Sequence, residues 1–507
     1  MSPVRALAGV MFDQVGPRAD APLAGRPAVS SRLASRADGL NLLLVAIFAA
    51  LILAAVAYTP QLFNDGDTYW HLAAGEWMLR HGAILHADPF SYTAPGHAWD
   101  THEWLTEVLM AGVFGALGWS GLQLLFAPAA ALVALVMGLE LSRKLGVVGW
   151  VAMLLISIVC TTQSWLARPH LLALPLLAIW TVQLLRAREE GRTPALWLLP
   201  LMILWANLHG SFLIGLGLLA PFACEAVLDA GEDWFRVGRD WALFMLGAVA
   251  AAMITPHGLN GLLYPIQIQS MKTLQDIAEW RSADFGQVRP FEVALIGGLY
   301  VLLSRGVRIP MIRLLIMLGL THLALHELRH QMVFAVVVPL LLAEPIARTL
   351  RPDGSAPEAP PLPPKALAAG MAAVALAVVA VFAVRLSVPV VRTDGPTSPG
   401  AALAHVPTEL RAKHVLNEYG MGGFLIFEGV KPFIDGRADM YGDDFFDAYS
   451  KAVKPDRRRL TALLAKYDVS WTIFDAGDPA VQVLDGLPGW RRLYADKFAV
   501  VHERTGA

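Results

Sequence analysis

The sequence predicts a mostly α-helical, polytopic membrane domain followed by a small C-terminal α/β domain. Three observations predict it. Of 507 residues, 56% are hydrophobic and only 16% charged, and mean hydropathy is +0.51, the composition of a multispan chain. Apolar segments recur from residue 40 to 388, separated by short polar words. After residue 400 the pattern changes to alternating helical and strand signals. The net charge of −2 gives no basis for nucleic-acid binding. The two cysteines, Cys160 and Cys224, both lie in apolar segments and leave no disulfide framework.

Residues 1–39 carry five arginines and three aspartates among scattered Gly and Pro, and read as a disordered basic cytoplasmic tail. The apolar run after it, Leu40 to about Pro60, is long enough to span, which makes it an uncleaved first helix. Further apolar stretches fall at 104–141, 147–166, 170–186, 194–206, 212–229, 241–254, 290–305, 309–326, 331–349 and 366–388. Several fall short of the roughly 20 residues of a perpendicular span, which is tolerated where helices line protein or a water-filled cavity. With 104–141 counted as one net crossing, about eleven crossings result, in a range of about 11–13. The basic connections, among them Ser142–Lys144, Arg186–Arg192 and Arg305–Arg313, then all lie inside. The histidines before residue 331 all fall on the other side. The membrane domain is bounded at 40–350, a Pro-rich linker at 351–365, and a last span at 366–388. An extracytoplasmic α/β domain follows at 400–507, with strands expected at 424–427, 432–435, 470–474 and 498–502. Its helices are expected at 444–452 and 457–466.

The first outer loop, 62–104, carries the densest chemistry. Asp65 and Asp67 follow the first span directly, and a short helix is expected from Asp67 to about His81, capped by Asp67 or Thr68. Trp70, Ala73, Ala74 and Trp77 share one face, which suits a helix lying in the membrane interface. The loop ends in His102-Glu103-Trp104. Polar words cap the other helices on the same side: Arg168-Pro169-His170, then Asn207 and His209, His257, Glu279-Trp280-Arg281, and Arg329-His330. Ionisable groups at membrane depth are costly and are usually functional or paired. A carboxylate there can act as general base towards an acceptor hydroxyl. Arginine and histidine can hold a phosphate leaving group.

This layout resembles the GT-C superfamily of polyprenyl-phosphate-sugar-dependent glycosyltransferases. The likeness is architectural over residues 40–350 and specific at Asn64-Asp65-Gly66-Asp67 and the His102-Glu103-Trp104 re-entry. The chain is also similar to a group of bacterial multispan membrane proteins. That likeness rests on Asp67-Thr68-Tyr69-Trp70-His71, Trp205-Ala206-Asn207-Leu208-His209-Gly210, Tyr419 to Ile426 and Asp435-Gly436-Arg437, and implies no particular reaction. The GT-C resemblance implies an enzyme of the bacterial inner membrane that transfers a sugar from a polyprenyl-phosphate-linked donor to a glycan, lipid or protein acceptor on the outer face. It implies Asp65 or Asp67 as base or as ligand of a divalent cation, Mg²⁺ or Mn²⁺. His71, His102, Glu103, Arg168, His170, Asn207, His209, His257, Glu279, Arg329 and His330 are then the substrate-binding candidates.

Plainer readings stand beside these. Asp65 and Asp67 also fit helix caps, and His102 and Glu103 fit interface anchors beside Trp104. His209 fits a buried partner for Asn207 across a helix break, and Arg168 and Arg329 fit partners for Glu279 and Glu327. His71, His326 and His330 lack zinc-ligand spacing, so no metal ligands are assigned. Gly420, Gly422 and Gly423 read as a turn before a strand. Two other functions remain open: a non-catalytic envelope scaffold that binds a lipid-linked glycan, and a transporter. The missing internal repeat and the gathering of charge on one side weigh against transport.

Overall fold

The computed structural model describes residues 38–353, 355 and 360–505. The expected basic tail, up to residue 37, and part of the Pro-rich linker lie outside the described residues. Among the described residues, seven helices are long and apolar enough to cross a membrane: Gly39–Tyr58, Trp104–Lys144, Val147–Ser164, Pro169–Glu189, Phe212–Asp229, Leu328–Leu350 and Pro364–Ser387. Three shorter apolar helices, Leu198–Leu208, Pro290–Ser304 and Met311–His326, run beside them. The Trp234–Ala252 helix completes the bundle.

The long stretch after Trp104 is two helical arms, broken at Gly118, whose φ of 59° and ψ of −150° turn the chain back. Beyond the turn, Ser120 Oγ accepts from Val390 N at 3.3 Å and Gln123 donates to the Thr59 carbonyl at 3.2 Å. Both arms therefore start at the membrane face that bears the first long loop. The second arm runs on to Lys144. There Lys144 and Arg186 gather on the buried Glu140, at 3.4 and 2.7 Å. Arg313 and Glu225 pair at 3.2 Å on the same side. Charge at this opposite face is thus neutralised in packed pairs, while a core built on Trp150, Trp180, Trp205 and Trp241 fills the bundle.

The C-terminal domain carries, among the described residues, a four-stranded sheet. Strand β1 (Val415–Asn417) runs parallel to β2 (Trp471–Phe474). Strand β4 (Val500–Arg504) lies antiparallel to both β2 and β3 (Trp490–Ala495). The expected helix 457–466 is present as Arg457–Lys466, and 444–452 lies inside Ala438–Val453. Two expected strands are not strands. Residues 424–427 belong to a helix, Gly422–Phe427, so the glycines open a helix and do not precede a strand. Segment 432–435 joins no strand of the sheet. Its backbone is satisfied by side chains: Phe433 N donates to Asn417 Oδ1 at 2.8 Å, and Thr93 Oγ1 donates to the Phe433 carbonyl at 2.6 Å.

The two parts dock through the motifs that stood out in the sequence. Gly66 lies so close to Gly420 and Gly423 that a Cβ on Gly66 or Gly423 would overlap the facing backbone carbonyl. Arg437 reaches from the tail into the first loop and bonds Asp88 at 2.8 Å, with both side chains fully buried. Tyr92 OH donates to the Val415 carbonyl at 2.9 Å, and Trp99 Nε1 to Asp439 at 3.2 Å.

Candidate active site

The short helix after the first span runs Asp67–His81, as expected, but its cap differs. The carboxylate of Asp65, not Asp67 or Thr68, accepts from Thr68 N at 3.1 Å and from Thr68 Oγ1 at 3.3 Å. This leaves Asp67 to point elsewhere. The tryptophan face also differs from a lipid-facing one. Trp70 is 8% exposed and packs with Trp99, Ile426 and Met440 beneath the tail domain.

Asp67 points at Arg168. That arginine sits at the N-terminal end of the Pro169–Glu189 helix, and the preceding Ala167 N donates to the Leu62 carbonyl at 2.7 Å, just before the acidic pair. Its guanidinium bonds Asp67 through Nη2 and Glu279 through Nη1, the latter at 2.6 Å, and its Nε lies 3.6 Å from Asp65. Three carboxylates therefore surround one cation in a largely buried spot. Burial raises Asp65 above the usual carboxylate range. Burial, opposed by Arg168, leaves Asp67 at about 7. For Glu279 burial also acts upward, but Arg168 and Arg329 overcome it and lower the group to about 2. One acid is thus held ionised while another sits near neutrality.

A second group lies beside the first. Burial pushes Glu103 up to about 8, with Arg168 and Arg329 opposing. His209 Nδ1 accepts from Ser211 N at 3.0 Å, so its Nε2 carries the hydrogen and faces Glu103 at 3.3 Å. His71 lies 3.9 Å from Glu103 and bonds Glu107 at 3.1 Å. Burial holds His71 and His209 well below the usual imidazole range and His102 at about 4, so neutral rings surround a carboxyl able to carry a proton. His170 donates to the Ser164 carbonyl at 2.6 Å, its ring 6.2 Å from that of His209. Arg329 stacks over Trp280 at 4.0 Å and makes no ion pair among the described residues.

Other candidates are spent on architecture. The Asn207 amide is bonded by Trp104 Nε1 at 2.8 Å and donates to the carbonyls of Ile203 and Ile254, and it makes no bond to His209. His330 faces Glu327 at 3.2 Å. His257 joins His86 and Asp100, away from the acidic pair.

No family model matches the chain, and no curated protein matches it. Among solved structures, it is similar to the oligosaccharyltransferase of Archaeoglobus fulgidus in its apo form. That match has a TM-score of 0.55 and 13% identity over 86% of this chain and 69% of that one. The likeness shows a shared fold. Two further structures align at lower scores. They are the same archaeal enzyme tethered to an acceptor peptide, at 0.48 and 13% identity over 92% and 74%, and ArnT from Cupriavidus metallidurans bound to undecaprenyl phosphate, at 0.49 and 11% over 90% and 97%.

In this structure the acidic pair does not fit a shared divalent cation. The space between Asp65 and Asp67 is taken by the Arg168 guanidinium, which contacts both carboxylates and Glu279. Two contributors, Glu107 and Asp88, were not singled out from sequence. Glu107 bonds His71 from within an apolar helix, and its signal was a buried acid one turn after Glu103. Asp88 receives Arg437, and Gly436 lies against Asp67 and Trp70, where a Cβ would overlap Asp67 Oδ1 and come within 2.8 Å of Trp70 Nε1.

Proposed function

We propose that the chain is a membrane-embedded glycosyltransferase that moves a sugar from a polyprenyl-phosphate-linked donor to a glycan, lipid or protein acceptor. The loop-bearing face is taken as the outer face of a bacterial inner membrane, because the basic connections such as Arg143-Lys144 and Arg305-Gly306-Val307-Arg308 gather at the opposite one. The observation that carries the reading is the half-buried set Asp65, Asp67 and Glu279 around Arg168 at the mouth of the bundle, with Asp67 near neutrality.

In this reading an acceptor hydroxyl or amide attacks the sugar's anomeric carbon. The bond from that carbon to the phosphate oxygen breaks, and polyprenyl phosphate leaves with the electron pair. Asp67 takes the acceptor's proton, since a base near the working pH is most effective. Arg168 fixes the direction of Asp67, and Glu279 and Asp65 keep Arg168 in place. Arg329, 4.0 Å over the Trp280 ring and in no ion pair among the described residues, holds the phosphate. The GT-C fold supports the reaction class. The test is release of polyprenyl phosphate from a panel of polyprenyl-phosphate sugars by the purified protein, with water or added acceptors. Release supports the reading, and a panel that gives neither release nor binding overturns it.

A further inference from the structure

We propose that His86, Asp100 and His257 form a site for a divalent transition-metal ion of the zinc type, separate from the acidic pair. The ligand atoms already converge. His86 Nδ1 lies 2.8 Å and His257 Nδ1 3.3 Å from the same oxygen, Asp100 Oδ1. All three atoms fall within 4.8 Å of one another. A tetrahedral ion with bonds of about 2.0–2.1 Å needs its ligands a little over 3 Å apart, so small movements suffice.

The second observation is how His257 is aimed. Its Nε2 lies 3.1 Å from the Thr101 carbonyl, which can only accept. The hydrogen is therefore on Nε2, and Nδ1 is turned towards Asp100. A backbone carbonyl orienting the far nitrogen is the usual outer contact of a metal-bound histidine. The His257 side chain is 2% exposed, so this aim is fixed, whereas His86 is 58% exposed and leaves an open side for water. Two imidazoles and one carboxylate favour zinc, cobalt or nickel over magnesium or calcium, which prefer oxygen alone.

The fold brings these residues together from two places. The loop hairpin, with its Ala87–Ala98 bridge and a Trp99 N to His86 carbonyl bond of 3.0 Å, sets His86 beside Asp100. His257 comes from the turn after the Trp234–Ala252 helix. An ion there clips the hairpin, which carries Trp99 against Asp439 of the tail, to the membrane bundle.

The test is titration of the chelator-stripped, full-length protein with Co²⁺ alone, followed by visible absorption, and then displacement by Zn²⁺. One equivalent of cobalt with the intense bands of a four-coordinate site is expected. It should vanish in His86→Ala, an exposed position where folding is not at stake, and in Asp100→Ala. It should persist in Asp65→Asn/Asp67→Asn. No such absorption in the wild type, or unchanged absorption in both His86→Ala and Asp100→Ala, overturns the site.

Discussion

Replacing Arg437 with Met should free the tail domain from the first loop, and the structure sets the size of the effect. Arg437 donates to both oxygens of Asp435 at 2.7 Å and to Asp88 at 2.8 Å, and all three side chains are fully buried. Breaking a buried pair from one side costs about 3–5 kcal/mol, because the remaining charge is left unpaired. Here two carboxylates are left. Each keeps other partners: Asp88 accepts from Phe90 N at 2.9 Å and Ser91 N at 3.0 Å, and Asp435 from Tyr441 OH at 2.7 Å. The guanidinium also loses its place 4.7 Å from the Trp99 ring. These terms put the loss near the middle of the range, about 4 kcal/mol, or roughly a thousandfold in the docked-to-open ratio. Native-state proteolysis reads that ratio when opening is fast relative to cleavage. Cleavage in the 430–437 segment should accelerate by about three orders of magnitude in Arg437→Met. Asp88→Asn should show a smaller effect, non-additive with the first. Acceleration under about tenfold in Arg437→Met would refute the reasoning, because the charges would then not be holding the two parts together.

Other outcomes follow from the same geometry. Gly436→Ala should leave secondary structure by circular dichroism unchanged but lower turnover about 100-fold, since the new methyl displaces Asp67, and misplacement of about 1 Å costs that much; unaltered turnover would count against a role for Asp67. Because Asp67 sits at about 7, its ionised, proton-accepting form grows as pH rises through that value. Turnover should therefore climb about tenfold per unit on the acid side and level off above about pH 7, a profile that Asp67→Asn should abolish. Arg329→Ala should raise the donor KM by roughly 10–100-fold, matching about 1.5–3 kcal/mol for a charged hydrogen bond, with Arg329→Lys between; an unchanged KM would move the phosphate elsewhere.

The membrane helices and the first loop were legible because their signals are local. Long apolar runs have few alternatives, and the Asp67–His81 helix matched its expected bounds. The tail was less legible for an identifiable reason. Phe424-Leu425-Ile426-Phe427 is a short apolar run that fits a buried strand or a buried helix equally well. Glycine contacts from Gly66 and the backbone near Ile434, invisible in sequence, favour the helix. Segment 432–435 reads as a strand but finds side-chain partners in Asn417 and Thr93 instead of a neighbouring strand. Strand β3 escaped because Trp490–Ala495 lies at the sheet edge, with Arg491 and Arg492 breaking the alternation. At the site, residue types pointed to Asp65, Asp67, Arg168 and Glu279, but only the fold shows that Arg168 stands between the acids. That placement is why the phosphate-holding role is proposed for Arg329 and not for Arg168.

The central claim is that Asp67, held by Arg168, takes a proton during sugar transfer. The most direct measurement is release of polyprenyl phosphate from a polyprenyl-phosphate sugar by wild type, Asp67→Asn and Asp65→Asn, side by side in detergent with water as acceptor. The account predicts release by the wild type, its loss in Asp67→Asn, and a smaller decrease in Asp65→Asn, whose carboxylate chiefly caps the helix. Equal release by wild type and Asp67→Asn would contradict it.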